Sequence, residues 1–272
     1  MSSKDVVVVI GVGDMGIAIA RRVGAGRKVV LADHSATVLA TRVAELTASG
    51  YDVDGVEVDV SSASSVDSLT AHCAGLGPVR NLVHTAGLSP VQASVPAILA
   101  VDLLGTALVI DAFGAVIADG GSGLAIASMA AELFPAPAAE LARALAVTPA
   151  AELLALPALQ PEALDNSGVA YALAKQANIV RVAASSKAWG ARGATLNAIS
   201  PGVISTAMGR EELAGESGEI MLMMIAGSGT GRVGTPDDIA AAAEFLLSPA
   251  ASFITGANLL VDGGVCAATK FG

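Results

Sequence analysis

The chain has 272 residues, of which 53% are hydrophobic, 15% charged and 3% aromatic. That length can bury roughly three quarters of the unfolded surface in one α/β domain, and that composition excludes a disordered chain. Fifteen Lys and Arg against 25 Asp and Glu give a formal net charge of −10, a field that repels duplex nucleic acid and anionic membrane surfaces, so neither is expected as a partner.

The N-terminus runs directly into Val6–Ile10, a continuous β-branched run. It is too short to span a membrane and no export cleavage pattern follows, so a cytoplasmic location is expected. Further strand-like runs lie at 28–33, 55–60, 80–85, 124–128, 195–199 and 258–261. Stretches long enough for helices separate them, at 14–25, 35–49, 62–75, 96–118, 167–190 and 236–247. The basic cluster Arg21, Arg22, Arg27 and Lys28 reads as a solvated helix end. Parallel strands need crossovers of this length, and right-handed crossovers wind a sheet that helices cover on both faces. The expected fold is therefore α/β: a doubly wound, mostly parallel seven-stranded sheet in a single domain, 1–272. Residues 131–165 break the rhythm with five of the eleven prolines, and read as short helices forming a flap. Cys73 and Cys266 stand far apart with no paired ligand spacing, so no metal is expected.

Gly11-Val12-Gly13-Asp14-Met15-Gly16 follows the first strand and opens a helix. This G-x-G-x-x-G pattern permits a tight turn at Gly11, close approach of a pyrophosphate at Gly13 and helix–strand packing at Gly16, with the helix N-terminus facing the anion. Asp33 ends the second strand, 22 residues after Gly11. A carboxylate there can accept from both hydroxyls of an adenosine ribose and repel a 2′-phosphate. Asp14 adds to that repulsion, and no Arg or Lys follows Asp33 directly, so NAD is expected rather than NADP. Asp33 could instead cap the next helix, although Ser35 can do so too. A methyltransferase also places a glycine loop and an acidic strand end around an adenosine.

Tyr171 and Lys175 are four apart and share a helix face. An ammonium beside a phenol, together with a cationic nicotinamide, favours phenolate, and lowering a tyrosine pKa by about 3 units takes roughly 4 kcal/mol. With these residues the chain resembles the short-chain dehydrogenase/reductase (SDR) family over nearly its whole length. The resemblance is carried by GVGDMG (11–16), Asp33, Asp59-Val60, His84-Thr85-Ala86-Gly87, Ser128, Tyr171 with Lys175, Pro201 to Thr206, and the segment 231–264. It implies a Rossmann-type NAD-binding oxidoreductase. Tyr171 would be the acid–base, Lys175 would hold the nicotinamide ribose and Ser128 would orient the substrate oxygen. Asp59 and Val60 would contact adenine, and Ala86 and Gly87 would line the cofactor. Pro201, Val203 and Thr206 would hold the carboxamide side. Met15 lies in the phosphate turn.

Four features depart from the family pattern. The glycine turn is one residue shorter, with Ile10 in the place of a Thr. His84 stands where an Asn is usual and reads as structural. Asp102 occupies the place of an Asn that supports a water relay to the lysine; as a carboxylate it would raise the Lys175 pKa, and it is a candidate fourth member of the catalytic set. Ser128 and Tyr171 are 43 apart, because the proline-rich insert falls between them and is expected over the substrate cleft.

The stretch 207–230, with its apolar Met-rich cluster at 221–225, points to an apolar alcohol or ketone substrate of steroid, terpenoid or acyl type. The same methionines could simply pack the flap. Arg210 could meet a substrate carboxylate. Helix 103–118 is apolar nearly all round and must be covered on more than one side, which fits a homo-oligomer; the family resemblance implies a dimer or tetramer. The alternative function is a non-catalytic NAD-binding regulatory or scaffolding protein.

Overall fold

The computed structural model describes residues 4–91, 93–215 and 218–272. Residues 1–3, 92 and, within the 207–230 region, 216 and 217 lie outside the described residues. In chain order the first half comprises β1 (Val6–Ile10), α1 (Asp14–Val23), β2 (Lys28–Asp33), α2 (Ala36–Ala48), β3 (Asp52–Glu57), α3 (Ala63–Leu76) and β4 (Val79–His84). Next come α4 (Val95–Ile98), a π-helical stretch (Leu99–Gly105), α5 (Thr106–Val116) and β5 (Ile117–Ile126). The insert holds α6 (Ala130–Leu133), α7 (Ala139–Val147) and α8 (Ala150–Leu153). The chain then continues through α9 (Ser167–Gly190), β6 (Thr195–Pro201), α10 (Ala207–Ala214), α11 (Gly218–Ala226), α12 (Pro236–Leu246), β7 (Asn258–Val261) and α13 (Val265–Phe271).

The seven strands lie in the order β3-β2-β1-β4-β5-β6-β7, every neighbouring pair parallel. The expected doubly wound sheet is thus present. The order turns about β1 and β4, and it is beyond the carboxyl ends of strands at such a point that α/β sheets form their binding crevice. The all-apolar β1 explains its place. Val6, Val8 and Ile10 join one core with Leu69, Phe113 and Trp189. Val7 and Val9 join another on the opposite face, with Ile19, Ile239 and Leu246. Alternating side chains feed two cores, so no position can be polar.

Three elements differ most from expectation: β3, the helix expected at 96–118, and β5, expected at 124–128. β3 starts at Asp52 rather than 55, because it is an edge strand whose register is fixed by polar contacts. The Lys28 ammonium bridges Asp52 at 2.9 Å and Asp54 at 2.7 Å. Val58 and Val60 then leave the strand and bury in the core. The helix expected at 96–118 is one continuous helical rod, but residues 99–105 take the wider π form. It also ends two residues early, so that β5 starts at Ile117. Val95–Val116 is long and apolar enough to cross a membrane by length and composition alone. Here α5 packs on α3, α9 and the sheet, and half of the apolar window in that stretch is buried within the chain.

The insert is helical, as expected, but little of it faces the cleft. Leu145, Leu153, Leu159 and Leu164 form a third core with Ile98, Leu103, Ala170 and Ala174. The insert thereby braces the outer side of α4 and α9. Arg181 of α9 fastens it by donating to the Thr148 carbonyl from both terminal guanidinium nitrogens, at 3.0 and 2.9 Å. Of the basic cluster, Arg22 pairs with Glu244 at 2.9 Å on α12, Arg27 donates to Asn81 and Lys28 is spent in the β3 register. Both cysteines are buried free thiols, and burial pushes each up to about 12, helped by Asp54 beside Cys73 and by Asp262 beside Cys266.

Candidate active site

The glycine turn is built as its sequence suggests. Gly11 has φ +89°, and a Cβ there would collide with the Ala86 backbone, so only glycine fits between β1 and the turn after β4. A Cβ on Gly16 would strike the Gly11 carbonyl, whereas one on Gly13 would meet nothing within 4 Å. Gly13 therefore opens onto free space beside the α1 N-terminus, the cradle an anion needs. The shortened turn is held from the neighbouring strand. Thr85 and Ala86 donate their N–H groups to the Ile10 carbonyl at 2.7 and 3.0 Å, and Thr85 Oγ1 donates to the Gly11 carbonyl at 2.7 Å.

Asp33 lies beside this turn. Its Oδ2 accepts from Val12 N and its Oδ1 from Ser35 N, both at 2.9 Å. The α2 cap is Ser35, whose side chain accepts from Val38 N. Asp33 is thus not the cap, and each of its oxygens keeps acceptor capacity beyond these bonds. Asp59 accepts from the Ser61 N–H and hydroxyl at 2.9 and 2.6 Å, and Val60 packs against Gly105.

Asp14 departs from the expectation placed on it. Arg42, on α2, pairs with its Oδ1 at 3.0 Å, and the Ala207 N–H donates to its Oδ2 at 3.2 Å. Its charge is therefore neutralised by an arginine 28 residues away, and it ties the glycine turn to the first turn of α10.

Across the crevice, Ser128 stands just past β5 and accepts from Ala130 N at 3.2 Å. It also faces the Tyr171 phenol closely enough to pull the phenol down. The Lys175 ammonium is 5.3 Å from the centre of the Tyr171 ring, 3.5 Å from the Ile126 carbonyl and 3.6 Å from Asp102 Oδ2. Asp102 is fully buried within the π-helical stretch, and its Oδ1 accepts from Leu88 N at 2.7 Å. A widened turn of this kind is frequent at functional sites and here aims the carboxylate at the lysine. Gly87 closes the cluster: a Cβ there would sit 3.2 Å from Lys175 Nζ and 3.3 Å from Asp102 Oδ1.

The electrostatics differ from the simple Tyr–Lys expectation. Burial pushes the phenol up. Lys175 and Ser128 pull it down, Asp102 and Glu212 add to the rise, and the net is a raised Tyr171. For Lys175 burial, the largest influence, pushes down, but Asp102 and then Tyr171 push up further, leaving an ammonium more firmly protonated than usual. His84 is buried and pushed down to about 3, by burial first and then by Lys175. Thr106 Oγ1 donates to the Asp102 carbonyl at 2.7 Å, so the 3.1 Å contact of His84 Nε2 with Thr106 makes His84 the donor. It is a neutral scaffold residue beneath the site.

A pocket of about 390 Å³ opens over this cluster. Met15, Pro201, Val203 and Thr206 line it, as do Leu133 and Phe134 of the insert. Thr206 Oγ1 also accepts from Gly209 N at 3.0 Å and caps α10. Met208, Met221 and Met224 form the roof, while Met223 of the same cluster faces solvent. Among the described residues that line the pocket, only Lys175 and Glu212 carry charge. Arg210 turns away to the Ser205 carbonyl. Sequence reading missed Glu212, Ser89 and Arg42, because their partners lie on other elements.

This geometry agrees with comparisons to known proteins. The short chain dehydrogenase model matches residues 5–138, and a model described as enoyl-(acyl carrier protein) reductase matches 138–266. A short-chain dehydrogenase/reductase, bsc3, of Alternaria brassicicola is 38% identical over 97% of this chain and 97% of its own. A D-threitol dehydrogenase of Mycolicibacterium smegmatis is 34% identical over 77% of this chain and 72% of its own. Among solved structures, a blue fluorescent protein from a metagenomic library, in complex with NADPH, superposes with a TM-score of 0.74 at 26% identity, covering 96% of this chain and 97% of that one. The chain belongs to the short-chain dehydrogenase/reductase family, whose members bind a nicotinamide cofactor.

Proposed function

We propose that the protein is an NAD-dependent alcohol dehydrogenase/ketone reductase acting on an apolar substrate. The observation that carries this reading is the convergence of Ser128, Tyr171 and Lys175 at the floor of an apolar pocket, beside a glycine turn open to an anion. The cofactor fits these residues: Gly13 leaves room at the α1 N-terminus, and Gly87 lets a ligand approach Lys175 closely. Asp33 would accept from the adenosine ribose hydroxyls, and its charge opposes a 2′-phosphate. That preference rests on Asp33 alone, since Arg42 neutralises Asp14. Asp59 and Val60 would border the adenine, Ala86 and Gly87 the nicotinamide ribose, and Pro201, Val203 and Thr206 the carboxamide.

When bound, the nicotinamide supplies or accepts the hydride. The chain does the rest. Ser128 and Tyr171 both hydrogen-bond the substrate oxygen. Tyr171 gives its proton to that oxygen in reduction and takes it back in oxidation. Lys175 stabilises the phenolate, and Asp102 holds Lys175 protonated and in place. The roof of methionines excludes water and adapts to an irregular hydrocarbon. The exposed rings of Phe253 and Phe271 support association into a homo-oligomer.

Tyr171→Phe tests the reading. Loss of the acid–base should cut kcat/KM about 10²- to 10⁴-fold, while NADH binding, followed by its fluorescence, persists. Tight NADH binding with no turnover of a broad alcohol and ketone panel, in native and variant chains alike, would instead support a non-catalytic NAD-binding protein. Tighter binding of NADPH than NADH would overturn the role given to Asp33.

A further inference from the structure

Among the described residues, the pocket contains one charged group that the acid–base chemistry does not use. Glu212 lines it from α10, in a setting where Met208, Met221, Met224, Leu133, Phe134 and Val91 supply apolar side chains. Its carboxylate is held in place. Ser89, fully buried in the segment after β4, donates its hydroxyl proton to Glu212 Oε1 at 2.7 Å. The Ser89 oxygen in turn accepts from Val91 N at 3.3 Å. The nearest cation in sequence, Arg210, is engaged with the Ser205 carbonyl.

A carboxylate exposed to an apolar pocket is costly to desolvate unless something donates to it. Ser89 satisfies one oxygen. The remaining lone pairs can only accept, since an ionised carboxylate has no proton to give. Glu212 and Tyr171 line the same pocket of about 390 Å³, a volume that one small molecule can span.

We propose that Glu212, positioned by Ser89, is a specificity-determining residue: it accepts a hydrogen bond from a hydroxyl carried by the substrate away from its reacting carbon, and repels substrates with a carboxylate or phosphate there. The substrate class is then a hydroxylated apolar ketone or the corresponding diol, not an acyl chain ending in an anion. This deepens the pocket assignment above and rests on it.

Three ketones of similar size provide the test: 4-ethylcyclohexanone, 4-(hydroxymethyl)cyclohexanone and 4-oxocyclohexanecarboxylate. Each is measured twice, by NADH-dependent turnover and by calorimetric binding to the enzyme–NAD+ complex, which cannot reduce a ketone. The native enzyme should favour the hydroxymethyl ketone over the ethyl ketone by about tenfold, the scale of a hydrogen bond to a charged group, and the carboxylate should rank last. In Glu212→Gln the carboxylate should gain about tenfold relative to the ethyl ketone, because the repelling charge is gone while an acceptor remains. Ser89→Ala, which deletes one hydroxyl and keeps Glu212, should narrow the hydroxymethyl preference in the same direction. An ethyl ketone that ranks equal to or above the hydroxymethyl ketone, or a ranking that neither variant alters, would overturn the proposal. Binding that ranks as expected without turnover of any ketone would uphold the role of Glu212 and overturn the oxidoreductase reading instead.

Discussion

At the scale of single residues, Asp102 sets this site apart from a plain Tyr–Lys pair. Its carboxylate reinforces the charge on Lys175 and works against ionisation of Tyr171. Alcohol oxidation needs phenolate, so the acid limb of its pH–rate profile should stand high. Asp102→Asn removes one of the charges that push the phenol up, and should move that limb to lower pH. The same variant should keep the Leu88 N–H contact through its amide oxygen. An unmoved profile, measured as kcat for oxidation across pH, would assign Asp102 a purely architectural role. Asp102 was legible in the sequence because it occupies a recognisable place in a recognisable order. The Ser89–Glu212 contact was not, because its two members are 123 residues apart and meet only when α10 folds over the segment after β4. Arg42 escaped notice for the same reason: α2 returns it to the glycine turn.

Among the elements, the insert between β5 and α9 is where pattern and structure part most. Its prolines and short apolar pieces predicted helices correctly. Which neighbour those helices would choose was not written in their composition, since an apolar stripe seeks any apolar partner. They chose the outer side of α4 and α9, leaving only Leu133 and Phe134 to line the pocket. The insert thus props the helix that carries Tyr171 and Lys175. Leu153 is 1% exposed in that third core, so Leu153→Ala should cost about 2–5 kcal/mol of stability, with kcat/KM for a small ketone changed far less than by Tyr171→Phe. Unfolding in urea beside steady-state kinetics checks this. A large loss of activity at unchanged stability would instead mark the insert as a lid. The π-helical turn was likewise invisible, because one extra residue per turn leaves the apolar pattern of 96–118 nearly intact.

For the molecule as a whole, the sheet was the most legible feature. β-branched runs spaced by helix-length stretches permit few topologies once crossovers must be right-handed. The strand carrying His84 links that scaffold to acid stability. His84 is held neutral far below its ordinary value of 6.5, so the unfolded chain takes up a proton there that the native fold refuses. The stabilising contribution is complete above about pH 6.5 and is lost as pH falls toward 3, at about 1.4 kcal/mol per unit. His84→Gln should reduce the loss of stability between pH 6.5 and 5 by about 2 kcal/mol. Urea midpoints at the two pH values measure it, and an equal slope in both chains would contradict the assignment.

The two sealed thiols have a practical corollary. With Cys73 and Cys266 buried and pushed up to about 12, neither offers thiolate at neutral pH, so the protein should tolerate air and alkylating reagents without a reductant. A single cysteine introduced at Ile220, on the exposed rim of the pocket, would then be the one labelling handle on the surface, and a dye attached there would report directly when a ligand enters.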